Sequence, residues 1–218
     1  MKLKQIQFGI ILITMTIIGL CGYKGSGKDT VADYLVQNYD NFLKISFADF
    51  IRNALKVLFD WDDDNFSPER KEIEDLYWGV TPRKMCQEIG TEFLRLHCKD
   101  IISQDFKLPN GEDYKGTFHI KRINKEVINI LNSNSKTNII FSDIRFQDEL
   151  DYVKKIGGKV LKVKRDGIEK NQFSNHISEI QVDNLINVDY NIENNQSIPD
   201  LRKRIDVIVE YIEAETPH

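Results

Sequence analysis

Three sets of residues in this chain have the types and spacing to handle phosphate. The first is Gly22, Gly25, Gly27, Lys28, Asp29 and Thr30, within "GLCGYKGSGKDTVADYL". It follows the phosphate-cradling pattern G-x-x-x-x-G-K-[ST], except that Asp29 stands where the hydroxyl residue is usual and Thr30 comes one place later. The glycines open backbone conformations closed to other residues. The loop N–H groups and the following helix dipole then favour an anion, and Lys28 adds a charge for terminal phosphates. Asp29 is a hard oxygen ligand suited to Mg²⁺, or else only a partner of the helix dipole. The second set is Arg52, after a short apolar run, with Arg83, Gln87 and Arg95 in and around "QEIGTE". The third is Asp143 and Arg145, at the end of an apolar run, with Arg165 ending the next run. Each arginine has a bland alternative: Arg83 and Arg95 pairing with Glu88 and Glu92, and Asp143 orienting Arg145.

These groups need a frame, and the chain spells one out. "TIIGLC" reads as a buried strand entering the glycine loop, and the loop opens a helix with Val31, Tyr34 and Leu35 at helical spacing. "NFLKISF" reads as a short strand. "ADFIRNALKVLF" reads as an amphipathic helix with Asp49 as its N-cap. "DWDDDNFSPERKEIEDLYWG" is a polar loop with a helical piece. "TPRKMCQEIGTEFLRLHCKDII" is a helix capped by Thr81 with Pro82 in its first turn. "KLPNGEDYKG" has the composition of a surface loop. Further on, "TNIIFSDIR" is a buried strand, "FQDELDYVKKIGG" a helix closed by Gly157 and Gly158, and "KVLKVKR" a strand. "DGIEKNQFSNHISEIQVDN" is irregular, "VDYNIEN" is a strand, and "SIPDLRKRIDVIVEYIEAE" is a helix with Ser197 and Asp200 at capping-box spacing. Strands alternating with helices predict an α/β fold on a mainly parallel sheet, with ligands outside the carboxyl ends of the strands.

Composition sets the outer bounds. The 218 residues include 41% apolar side chains and carry a net charge of −4. That suits one core-forming domain and argues against wrapping duplex nucleic acid. Three scattered cysteines and four histidines without metal spacing indicate neither a disulfide framework nor a zinc site, and fit a reducing, cytoplasmic setting. The apolar run before the glycine loop is too interrupted for a membrane span. We expect residues 1–15 to be an extension, either a loose arm or an untranslated stretch with Met15 as initiator, and residues 16–218 to form a single domain.

Small-molecule kinases clamp two anionic substrates with several arginines, as the second and third sets would, whereas ATPases and switches need elements not found here. "GYKGSGKDT", "SFADFIR", "TPRKMCQEIGTEFLR" and "FSDIRFQDE", in that order, resemble the phage- and virus-type deoxynucleoside monophosphate kinases. "GGKVLKVKRDG" and "NHISEI" extend the likeness, and the GKDT form of the loop is that family's own. The resemblance implies a five-stranded parallel sheet with helices on both faces and a small lid. It also implies γ-phosphoryl transfer from ATP, with Mg²⁺, to a deoxynucleoside monophosphate of the dTMP or dGMP kind. Lys24, Gly25, Ser26, Gly27, Lys28, Asp29 and Thr30 would hold the ATP phosphates, with Asp29 on the metal and Arg165 or the "NHISE" segment near the adenine or lid. Phe47, Ala48, Arg52, Arg83, Gln87, Gly90, Thr91 and Arg95 would line the acceptor side, Gln87 reading a base edge. Lys28, Asp143 and Arg145 would face the transferring group. Dimers are common among such enzymes, so a homodimer is an expectation, as is a host cytoplasm if the chain is viral. The similar loop of animal phosphomevalonate kinases keeps that activity open as an alternative, with an ATPase or nucleotide switch as a third.

Overall fold

The computed structural model describes residues 15–168 and 181–215. What the sequence leads us to expect of the stretch before Met15, and of "NHISE", lies outside those residues. A parallel sheet of five strands has the order β2-β5-β1-β6-β7. Its strands are β1 (Ile17–Cys21), β2 (Phe42–Ile45), β5 (Asn138–Ile144), β6 (Lys159–Lys164) and β7 (Tyr190–Glu193). β1 is buried at every position, as a central parallel strand covered on both faces must be. It pairs with β5 on one side and β6 on the other. From β1 the chain turns to the β2 side, and from β5 to the β6 side, so a crevice opens beyond the ends of β1 and β5.

Two apolar layers cover the sheet. On one face, α1 (Lys28–Asn38) and α6 (Ile198–Glu215) bury Val31, Leu35, Leu201, Ile205 and Val209 against Ile18, Leu20, Ile140 and Leu161. On the other, α4 (Phe118–Ser133) and α5 (Gln147–Lys155) bury Ile120, Ile123, Val127, Leu150 and Val153 against Ile17, Ile139 and Phe141. A smaller cluster centred on Ile51, Leu55 and Trp61 joins α2 (Asp49–Phe59) to α3 (Pro82–Gln87), which continues as a π-helix through Glu88–His97.

Most of the expected elements are present, with three differences. Helix α4 stands in residues 117–136, a stretch for which the sequence analysis gives no expected element. "KLPNGEDYKG" is not a plain surface loop: β3 (Asp105–Lys107) and β4 (Asp113–Lys115) form an antiparallel hairpin, and Leu108 beside it is fully buried. Asp49 does not cap α2; the N-cap is Ala48, without a side-chain bond, and Asp49 pairs instead with Arg52 one turn on. The loop before α3 has the expected helical piece, a 3₁₀ turn at Asp64–Phe66. Thr81 does cap α3, accepting the Lys84 N–H at 3.1 Å, with Pro82 at the start of the helix. The Asp200 N–H reaches Ser197 Oγ at 3.4 Å at the start of α6.

Candidate active site

The glycine loop runs from the end of β1 into α1. Gly22, Gly25 and Gly27 all have positive φ, at 144°, 83° and 105°. A Cβ on Gly22 would lie 2.3 Å from the Val163 carbonyl oxygen, and one on Gly27 would lie 2.3 Å from Asn194 Nδ2. Glycine is therefore required at Gly22 by conformation and by the Val163 backbone, and at Gly27 by conformation. The Asn194 amide donates to the Ser26 carbonyl at 2.8 Å and so braces the loop from the end of β7. Gly27 is the N-cap of α1 and supplies no side-chain cap, which leaves the first-turn N–H groups for a ligand. The Ser26 hydroxyl is buried without a hydrogen-bond partner among the described residues. Lys28 is buried at the mouth, and its ammonium donates to the Gly22 and Tyr23 carbonyls at 2.8 Å each. Burial pushes the Cys21 thiol up to about 11, so this neighbour of the loop is no nucleophile.

A cavity of about 320 Å³ opens from this loop across the ends of β2 and β5 to α3. Lys24, Gly25, Lys28 and Asp29 form one side; Phe47, Ala48, Arg52, Arg83, Gln87, Gly90 and Thr91 form the other. Asp143, Arg145 and Arg95 complete the wall. Residues from four separate segments thus line one cavity. Ser26 and Gly27 shape the loop from behind. Thr30 and Arg165 are exposed and do not line the cavity.

The carboxylate of Asp143 holds the turn between β2 and α2. Its Oδ1 accepts the Phe47 N–H at 2.8 Å, and its Oδ2 accepts the Ser46 hydroxyl at 2.7 Å and the Ala48 N–H at 3.3 Å. Ser46 Oγ in turn accepts from Arg52 Nη2 at 3.1 Å. Arg83 pairs with Glu72 at 3.3 Å, not with Glu88. Arg95 pairs with Asp148 at 2.7 Å and with Glu149, not with Glu92, and its guanidinium lies 3.8 Å from the centre of the Phe146 ring. It lines the cavity, but Nη1 and Nη2 are both committed to carboxylates. Glu149 also accepts the Arg145 N–H at 2.8 Å. Burial pushes its carboxyl up to about 7, against the pull of Arg95. Gly90 lets α3 approach α2: a Cβ there would meet Ile51 Cδ1 at 2.6 Å.

Sequence reasoning missed several lining residues: Lys71, His119, Phe146 and Glu149. Glu149 had a signal, since it closes "FSDIRFQDE", but no role was drawn from it. His119 lies on α4, which was not foreseen. Among the described residues there is no cluster of three or more His, Cys, Asp and Glu side chains to hold a metal by themselves. The Asp29 carboxylate is 83% exposed and lies 3.2 Å from the Lys44 ammonium. No helix among the described residues is long and apolar enough to cross a membrane.

Comparison with known proteins identifies the family. The chain is 34% identical over 194 residues to a putative deoxynucleotide monophosphate kinase of Acanthamoeba polyphaga mimivirus, covering 88% of this chain and 94% of that protein. It is 32% identical over 130 residues to the deoxynucleotide monophosphate kinase of Enterobacteria phage T4, covering 58% of this chain and 51% of that one. Among solved structures, a dephospho-CoA kinase from Campylobacter jejuni aligns with a TM-score of 0.40 at 15% identity, over 91% of this chain and 98% of its own, a likeness too distant to add to the assignment. These relatives favour the deoxynucleotide reading over phosphomevalonate kinase or a nucleotide switch. The model of the deoxynucleotide monophosphate kinase family matches residues 71–205, and the chain belongs to that family.

Proposed function

We propose that this enzyme transfers the γ-phosphoryl group of ATP to a deoxynucleoside 5′-monophosphate, and that the cavity described above is where it does so. One observation carries the reading. A single cavity is lined by a phosphate-cradling loop from one segment and by Arg52, Arg83, Gln87 and Arg145 from others. That arrangement suits two anionic substrates meeting head on.

The loop fits a polyphosphate. It offers uncapped N–H groups, a buried hydroxyl at Ser26 that lacks a partner, and the Lys28 ammonium. Lys28 would stabilise charge on the transferring group. Mg²⁺ is usually held by one or two carboxylates plus substrate phosphates, and Asp29 fits as such a carboxylate. When bound, the ion would neutralise charge building up between donor and acceptor. Arg52 and Arg83 would grip the acceptor phosphate through planar, charge-assisted hydrogen bonds. Asp143 would keep Ser46, Phe47, Ala48 and Arg52 in place for that grip. Gln87 faces the cavity with no side-chain hydrogen bond among the described residues, so its amide can read a base edge.

The test is a coupled ADP-release assay with dTMP, dGMP, dCMP, their ribose counterparts and mevalonate phosphate. We expect turnover with one or more deoxynucleotides, with dTMP or dGMP foremost. Gln87→Ala should reorder the bases, and Arg83→Ala should lower kcat/KM for all of them by one to two orders of magnitude, the effect of about 1.5–3 kcal/mol. Activity on mevalonate phosphate alone would overturn the proposal.

A further inference from the structure

The segment between α2 and α3 brings two neighbours of opposite charge to the cavity. Lys71 lines it directly. Glu72 reaches across its edge: the same oxygen, Oε1, lies 3.1 Å from Lys24 Nζ and 3.3 Å from Arg83 Nη1. Lys24 belongs to the donor loop and Arg83 to the acceptor helix. One carboxylate oxygen therefore bridges the two halves of the site, as an oxygen of a phosphoryl group between them would.

Lys71 is held in place by its backbone. Its N–H donates to the Ser67 carbonyl at 3.1 Å, and its carbonyl accepts the Arg83 N–H at 2.9 Å. Its ammonium makes no ion pair or hydrogen bond among the described residues. Burial, then the charges of Lys24, Arg83 and Arg145, lower its pKa, with Glu72 acting the other way. Cations gathered at such a spot repel one another unless an anion joins them. Glu72 is a weak permanent partner, because its side chain is 48% exposed and that of Lys24 is 55% exposed. Ion pairs so exposed contribute about 0–1 kcal/mol and are readily exchanged. A phosphoryl group brings more charge and three oxygens that accept strong hydrogen bonds.

We propose that Lys71 is a further ligand of the phosphoryl group in transit, and that Glu72 holds its place by bridging Lys24 and Arg83 until phosphate displaces it. The proposal rests on the kinase reading of this cavity.

It makes neighbouring residues act in opposite directions. Binding is measured by calorimetry with ADP, which stops short of the bridging position, and with adenosine and thymidine joined through a 5′-5′ pentaphosphate, which crosses it. Lys71→Gln should weaken the pentaphosphate about tenfold and leave ADP within twofold, the loss expected for one charged hydrogen bond. Lys71→Arg should recover most of that loss. Glu72→Gln should bind the pentaphosphate several-fold tighter than the wild type. Equal weakening of both ligands by Lys71→Gln would overturn the role of Lys71. Weaker binding by Glu72→Gln would overturn the place-holder. Wild-type enzyme inactive on every deoxynucleotide would break the kinase reading itself; an active wild type with Lys71→Gln indistinguishable from it would break only this inference.

Discussion

Replacing Asp143 with Asn tests whether this carboxylate builds the acceptor wall or takes part in the chemistry. The exchange keeps size and shape, so it changes only charge and hydrogen bonding. Asp143 accepts from Phe47, Ser46 and Ala48 at 2.7–3.3 Å. An amide can keep one oxygen on one of these donors, but its NH₂ group then faces donors on the other side. Ser46 Oγ cannot easily turn to accept from it, because it already accepts from Arg52 and from Ala48 at 3.1 Å each. Losing one charge-assisted bond of this kind should remove about 1.5–3 kcal/mol. Any part of that loss that falls on folding lowers Tm by about 2–4 °C per kcal/mol for a domain of this size. Part falls on the placement of Arg52. We expect KM for the deoxynucleotide to rise and kcat/KM to fall by up to about two orders of magnitude, with KM for ATP within twofold. Ser46→Ala should act similarly, and the double variant should lose less than the sum, because the two residues form one chain. A fall in kcat of a thousandfold or more at unchanged acceptor KM would refute the positioning role and make Asp143 a participant in transfer.

The sequence disclosed the parts of the site whose chemistry is contiguous, and hid the parts made by contacts across the sheet. Gly22 to Asp29 lie within one loop, and Asp143 and Arg145 at one strand end, so their place beside the cavity could be read without a structure, though not the hold of Asp143 on the turn before α2. The strands followed from short apolar runs and most helices from a helical period, since a central parallel strand is buried on both faces and a covering helix on one. The partners of Arg95 were different. Asp148 and Glu149 lie on the following βα unit, while Glu92 is close in sequence but not the partner. Lys71 and Glu72 sit in a run so polar that each charge looks solvated. The brace from Asn194 crosses from β7 to the glycine loop, a meeting that only the strand order creates. The β3–β4 hairpin was concealed by strands of only three residues, too short to show alternation. Helix α4 did carry a signal, with Ile120, Ile123, Val127 and Leu131 at helical spacing, and the reading passed over it.

Two further predictions concern single side chains. If Asp29 helps hold Mg²⁺, Asp29→Asn should raise the Mg²⁺ concentration needed for half-maximal rate and Asp29→Ser should restore it in part; an unchanged dependence in both would leave Asp29 only its pairing with Lys44 and the helix dipole. His119 bears on stability against pH. The side chain is buried, its ring packs edge-on against Phe50 and Phe118, and Nδ1 has no partner among the described residues. Burial, reinforced by the charge of Arg95, lowers its pKa from 6.5 to about 3. Between those values the unfolded chain binds a proton that the folded chain refuses, so acid favours unfolding. The contribution is fully present above pH 6.5 and is lost as pH falls toward 3, at up to about 1.4 kcal/mol per pH unit. His119→Phe should remove that slope, because an aromatic ring of similar size fits the same apolar contacts without titrating. Urea denaturation at pH 8 should find the two proteins within about 1 kcal/mol of each other, the tolerance expected of a near-isosteric core exchange. At pH 5 the variant should gain on the wild type by about 2 kcal/mol, the slope acting over the interval from 6.5 to 5. Parallel stability curves for the two proteins from pH 8 to pH 5 would show that His119 is protonated in the folded state and that its burial does not exclude the charge.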